Sequence, residues 1–212
     1  MAKRVIGYCL LLLVAIGLTQ RVQAKEIDGI DVAEVLPANG DRPELFLNGA
    51  AKRKYLMFVD VYVGSLYVEE PSNDPNYLMN QDTTRRMEFN MLRDVRGRRI
   101  AEAFYEGMRL NVPQDKAESM SDGINKLLHM FDQRLLPGDK AVVEYRPGQG
   151  THVILAGHEK GVIPGKDLFD AILSIWIGEY PVSSDFKAGI LGTEDPTVMT
   201  TAPKFSNKLY RD

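Results

Sequence analysis

Between Arg85 and Leu135 the hydrophobic period of this chain changes from two to about 3.6, and few folds accommodate both halves of that change. In RRMEFNMLRDV the apolar Met87, Phe89 and Met91 alternate with Arg86, Glu88 and Asn90, the pattern of a strand with one buried and one wet face. In RGRRIAEAFYEGMRLNV the apolar Ile100, Ala103, Phe104 and Met108 fall on one helical stripe. The stripe resumes beyond Pro113 with Ala117, Met120, Ile124, Leu127, Leu128, Phe131 and Leu135. Two successive amphipathic helices are predicted, and each needs an apolar surface to cover.

The flanking segments supply that surface. ELFLNGAAKR and KYLMFVDVYVGSLYVEE are rich in β-branched and aromatic residues and read as strands, the second apolar on nearly both sides. Residues 25–40 read as an edge strand ending in a Pro/Asn/Gly turn, and PSNDPN reads as a loop. DKAVVEYRPGQGTHVILAGHEKGVIPG returns to strand, with turns at Pro147–Gly148 and at Gly157 to Gly161. KDLFDAILSIWIG and SSDFKAGILG read as a helix pair, the second capped by Ser183 or Ser184. This order predicts an α+β domain over residues 25–192: a large antiparallel sheet, covered on one face by a layer of helices, with a cleft between the layers. Residues 193–212 lack a sustained apolar period and read as a flexible tail.

The N-terminus has a different character. MAKRVIGYCLLLLVAIGLTQRVQA begins basic, continues through the apolar run Val5–Leu18 and ends in small residues, so residues 1–24 read as a secretory signal peptide cleaved after Ala24. The apolar run is shorter than the ~20 residues that span a bilayer, so no transmembrane segment is expected in the mature chain. Export, most simply to a periplasm, follows as an expectation. Lys3, Arg4, Arg21 and the single cysteine, Cys9, leave with the leader. The mature chain then holds 23 basic and 29 acidic residues and no thiol. A cysteine nucleophile and a disulfide are thereby excluded, and the acidic balance gives no reason to expect nucleic acid as a partner.

No phosphate loop, HExxH, CxxC or GxSxG motif is present, so neither a metal nor a cofactor is expected. Of three histidines, His129 lies on a helical stripe, His158 in a turn and His152 at a strand start. Arg53 lies in LNGAAKRKY, where the chain is expected to turn between strands. It reads either as one member of a solvated basic turn with Lys52 and Lys54, or as a guanidinium that enters the cleft and grips an oxyanion through paired hydrogen bonds. Arg93 and Asp94 read as a surface pair. Tyr62, Tyr67 and Tyr105 are candidate hydroxyl donors to the cleft, against the commoner packing role of strand tyrosines.

Three segments in order, LNGAAKRKYLMFVDVYVGSLYVE, VVEYRPGQGTHVILAGHEKGVIPG and GKDLFDAILSIWIGEYPVSSDFKAGILG, resemble the bacterial, exported branch of the chalcone isomerase-like family. The resemblance implies an antiparallel sheet layered by helices over an apolar cleft. In the plant isomerases a GAGxR motif delivers an arginine to the substrate during ring closure of a chalcone, and the matching string here, GAAKR, makes the corresponding residue Arg53. Other matches fail. Tyr62 stands where those enzymes place a threonine, and Ile100, Ala103 and Gly107 stand where their helix supplies tyrosine, lysine and asparagine. Each lost donor is worth ~2–4 kcal/mol of transition-state stabilisation. The family also contains fatty-acid binders in which an arginine and a tyrosine hold the carboxylate. The leading expectation is therefore a non-catalytic binder of a fatty acid or similar hydrophobic acid, with Arg53, Tyr62 and Tyr105 as ligand-binding residues. The alternatives are an isomerase of the chalcone isomerase type using Arg53, a haem binder using His129, and a structural module whose cleft is filled by Phe104 and Trp176.

Overall fold

The computed structural model describes residues 24–193 apart from Met57; the leader reading rests, but for Ala24, on residues outside this range, and so does the tail from residue 194 onward. Seven antiparallel strands form the main sheet in the order β11-β10-β9-β6-β5-β4-β3. They are β3 (Val35–Leu36), β4 (Leu45–Tyr55), β5 (Val59–Val68), β6 (Arg85–Met91), β9 (Lys140–Arg146), β10 (Gly150–Leu155) and β11 (His158–Ile163). The expected α+β architecture is present. The only neighbours in this sheet that do not follow one another in sequence are β6 and β9, and the chain between them carries α2 (Gly97–Asn111), α3 (Gln114–Ser119) and α4 (Ser121–Met130). Leaving the sheet at its centre, the chain lays these helices over one face and then returns beside the strand it left.

With α5 (Asp167–Ile177) and α6 (Ser184–Leu191) these helices bury one large apolar cluster against the sheet, centred on Phe89, Phe104, Phe169 and Trp176. The side chain of Ser183, not Ser184, caps α6 by accepting from Phe186 N, while Gly192 ends the helix in the left-handed region at φ 65°. The backbone of α6 rests directly on β4. A Cβ on Gly49 would lie 2.2 Å from the carbonyl oxygen of Gly189 and 2.4 Å from that of Ile190, so only glycine permits the approach.

Several expectations are corrected. Gly49, Ala50 and Ala51 lie inside β4, and the turn to β5 comes after Tyr55 and before Val59, with Leu56 at φ 49°. An unbroken apolar run, YLMFV, conceals that turn. The segment read as a loop continues into α1 (Pro75–Asn80), because Asp74 accepts from Asn76 N at 2.8 Å and Pro75 occupies the first turn. The second predicted helix breaks at Met120 into α3 and α4 and stops at Met130; Leu135 belongs to β8 (Arg134–Leu135), paired with β7 (Val95–Arg96).

The second face of the sheet is also less open than the alternation suggests. Within residues 25–40 only β3 is an edge strand. Residues 24–33 form a hairpin of β1 (Ala24–Ile27) and β2 (Ile30–Ala33), whose Val32 packs with Leu45, Ala50, Val63 and Tyr67. Beside this patch the face of β6 read as wet is largely covered. Glu88 and Glu144 are buried there, with Arg86 bridging them at 2.6 Å to each, Arg146 on Glu144 at 2.6 Å and Lys140 on Glu88 at 2.7 Å. Buried carboxylates persist because each one meets more than one cation. Tyr67 lies on this face too, where burial pushes its phenol up, and it contributes nothing to the cleft under the helices.

Candidate functional site

Strand register positions the site. Arg53 on β4 pairs with Tyr62 on β5, and Tyr62 pairs in turn with Met91 on β6, so the three side chains share the sheet face that the helices cover. Above this row α2 presents Ile100, Ala103 and Phe104, and α5 presents Ile175 and Trp176. Between the layers lies a cavity of about 90 Å³, whose lining also includes Arg53, Tyr55 and Val95. Its interior is aromatic: Trp176 stands 4.9 Å from Phe89 and 5.2 Å from Phe104, and Tyr62 packs edge-on to Phe89 at 5.2 Å and to Phe186 at 5.8 Å.

Arg53 lies inside a strand and not in a turn. The members of the basic triplet point to opposite sides because a strand alternates. Lys52 reaches the far face, where it pairs with Asp28 of the β1–β2 turn and with Asp60, and Lys54 is exposed. Arg53 alone joins the cavity lining, half-buried, with its guanidinium donating to the carbonyl of Lys54. Tyr62 also lines the cavity, and its phenolic oxygen accepts from Trp176 Nε1 at 3.0 Å.

Tyr105, by contrast, is on the solvent side of α2, with the Arg109 guanidinium 5.9 Å from its ring centroid, and does not line the cavity. The apolar stripe of α2 is carried by Phe104 and Met108, and Tyr105 turns away from it. His129 is exposed, its Nδ1 2.6 Å from the carbonyl of Asn125 one turn back, and so offers nothing to a haem within the cavity. His152 is buried between Glu159 at 2.9 Å and Gln149 at 3.1 Å. Asp94 pairs with Arg134 at 2.6 Å, not with Arg93. Among the described residues no group of three or more His, Cys, Asp or Glu is placed to hold a metal.

Two polar lining residues, Tyr55 and Glu106, escaped the sequence. Glu106 joins the cavity from α2, its carboxylate 3.6 Å from Arg109 one turn on. Only its helical phase, two positions beyond Phe104, was available to suggest this, and an acid beside an apolar stripe ordinarily faces solvent. The cavity therefore combines apolar walls, one guanidinium, one carboxylate and tyrosine hydroxyls, which suits binding and orienting an amphipathic molecule.

A helix-roofed antiparallel sheet enclosing such a cavity defines an α+β protein of the open-faced sandwich kind. A family model described as chalcone isomerase-like matches residues 24–192, and the chain belongs to that family. Among solved structures the fold is shared with a fatty-acid binding protein of Arabidopsis thaliana, at a TM-score of 0.60 and 16% identity, over 80% of this chain and 96% of that one. A comparison with curated proteins finds no match.

Proposed function

We propose that this protein is a non-catalytic binder of a fatty acid or similar hydrophobic acid. In this reading the acyl part lies between Phe89, Phe104 and Trp176, and the carboxylate is held by Arg53 with help from the Tyr62 hydroxyl. The observation that carries the reading is the cross-strand pair itself: Arg53, the one guanidinium in the lining, is paired in register with the phenol-bearing Tyr62 on the covered side of the sheet, in a largely apolar cavity that also carries Tyr55 and Glu106. A guanidinium suits a planar carboxylate because two parallel N–H donors meet two oxygens. The similar fold of a protein named for fatty-acid binding supports the same choice. Tyr105, on the solvent side of α2, has no part in it.

The cavity of about 90 Å³ is well below the ~300–1,000 Å³ typical of ligand sites, so a long acyl chain requires α2 and α5 to separate from the sheet, whereas a short one enters with little change. Export through a cleaved leader, most simply to a periplasm, completes the proposal. Native mass spectrometry of the exported protein is expected to show a retained acid and an N-terminus at Lys25. Titration with straight-chain acids of increasing length should change the emission of Trp176, the single tryptophan, which lines the cavity. If no acid is retained and none alters the emission, the reading fails.

A further inference from the structure

The tip of the β4–β5 hairpin exposes apolar side chains that the fold does not bury. Leu56 is 52% exposed and Phe58 is 85% exposed. Turns ordinarily carry glycine, asparagine or aspartate, yet here a leucine takes a positive φ of 49° and a phenylalanine stands in water beside it. The position is as telling as the composition. Arg53 and Tyr55 just before the tip, and Val61 just after it, all line the cavity, so the tip adjoins the cavity wall.

The charge at this end is opposite in sign to that of the chain. The whole protein has a net charge of −3. Around the cavity, however, Arg53 and Lys54 on the hairpin, and Arg93 and Arg96 flanking the cavity-lining Val95, have no carboxylate partner among the described residues. Lys54, Arg93 and Arg96 are exposed. Of the nearby acids, Asp94 is matched by Arg134 and Glu106 lies beside Arg109, while Asp28 and Asp60 share Lys52.

We propose that this end of the protein docks on an anionic phospholipid surface, with Leu56 and Phe58 entering the acyl boundary and the surrounding cations lying among the headgroup phosphates. A small apolar tip ringed by unpaired cations is complementary to that interface, which offers hydrocarbon below and negative charge above. A purely apolar partner would leave the cations unmatched, and a purely anionic one would leave Phe58 in water. The docking stands apart from the acid-binding reading; if both hold, the cavity lies beside the bilayer that contains acyl chains.

The test is sedimentation with vesicles of phosphatidylcholine alone or of phosphatidylcholine with phosphatidylglycerol, neither containing free fatty acid. Wild type is compared with Leu56→Asp/Phe58→Asp and with Lys54→Glu, all prepared with the same N-terminus so that any remaining leader contributes equally. Wild type is expected to prefer the anionic vesicles, and raised salt should weaken that preference. The double substitution should reduce partitioning at least tenfold, and Lys54→Glu by severalfold at low salt. Phe58→Trp should shift its emission to the blue on anionic vesicles and be quenched by lipid brominated near the headgroup, while the enclosed Trp176 of wild type responds little. Circular dichroism checks that the variants, altered only at exposed positions of the hairpin end, remain folded. Equal binding by wild type and the double variant would overturn the proposal, as would equal binding to both vesicle types. A tip-dependent dimer without vesicle binding would assign the tip to a second copy of the chain instead. Acid binding in vesicle-free solution, measured through Trp176, succeeds or fails independently of these results.

Discussion

The indole N–H of Trp176 donates to the phenolic oxygen of Tyr62 at 3.0 Å, joining α5 to strand β5. Both residues are packed among aromatic rings, so water has little access to either partner once the bond is lost. Tyr62→Phe removes the acceptor and leaves the indole donor of a buried residue unsatisfied, which is expected to cost about 1–3 kcal/mol in denaturant melts. Phe104→Ala, which empties space beside the same indole, should cost about 3–5 kcal/mol. Losses under about 1 kcal/mol in both would show that these groups contact solvent and that the cavity is open.

Arg53 and Glu106 place opposite charges on one cavity, and their substitutions should act in opposite directions on an anionic ligand. Arg53→Ala is expected to weaken binding of a fatty acid by about 1.5–3 kcal/mol, the range for a hydrogen bond to a charged group, with little change in folding stability. Arg53→Lys should recover part of the loss, because an ammonium cannot reproduce the paired donors. Glu106→Gln removes a negative charge and should strengthen binding. Calorimetric titration with one acid across the three variants checks all signs together, and a weaker Glu106→Gln complex would indicate a ligand that is not an anion.

The fold was legible where a single period ran long enough to define a face. Met87, Phe89 and Met91 set the buried side of β6, Phe104 and Met108 set that of α2, and both hairpin turns around β10 carry glycine. Failures came where one physical cue hid another. The YLMFV run contains no polar or glycine residue to mark its turn, so Arg53 was expected in the turn itself, whereas it lies in β4 opposite Tyr62. Glu88 resembled a solvent-facing strand residue because its cover is non-local: Arg86 and Lys140 neutralise it, and the second face of the sheet is part-covered by the β1–β2 hairpin. For the site, alternation was sufficient to select Arg53 over Lys52 and Lys54 once the strand was known. Helical phase was insufficient for Tyr105 and Glu106, which adjoin on α2 and differ in side by a rotation that residue type does not reveal.

Two glycines of adjacent strands test how α6 is seated. A Cβ at Gly49 meets carbonyl oxygens of Gly189 and Ile190, which cannot yield without moving the helix, whereas a Cβ at Gly64 meets the ring of Phe186, with Cζ at 2.5 Å, a side chain able to rotate. Gly49→Ala should therefore be the more damaging substitution, at about 3 kcal/mol or more against about 1–2 kcal/mol for Gly64→Ala. Loss of the Asn48 Nδ2 bond to the Ile190 carbonyl, 2.8 Å in the native protein, should accompany the first and spare the second. Urea melts, with amide exchange over residues 184–191, distinguish the two. Equal damage from both would mean that α6 is held elsewhere.

Tyr145 on β9 gives the fold an alkaline limit. Its ring is buried beside the fully buried guanidinium of Arg85, 5.3 Å from the ring centroid, and its hydroxyl donates to Asp82 at 2.5 Å. Burial first, and the adjoining carboxylate second, push its pKa up to about 12 from the ordinary value of 10. At neutral pH the phenol is protonated in both folded and unfolded chains, so this contribution to stability is fully present. Above pH 10 the unfolded chain releases its proton while the folded chain keeps it, and stability declines by up to about 1.4 kcal/mol per pH unit until the folded phenol also ionises near pH 12. Tyr67, pushed in the same direction by burial, adds to the slope. Tyr145→Phe should lower stability at pH 7 through loss of the Asp82 bond, yet show a shallower decline between pH 10 and 12. Denaturant melts across that window, with tyrosinate absorbance followed in parallel, provide the measurement. Parallel curves for wild type and variant would mean that the Tyr145 phenol ionises as readily folded as unfolded.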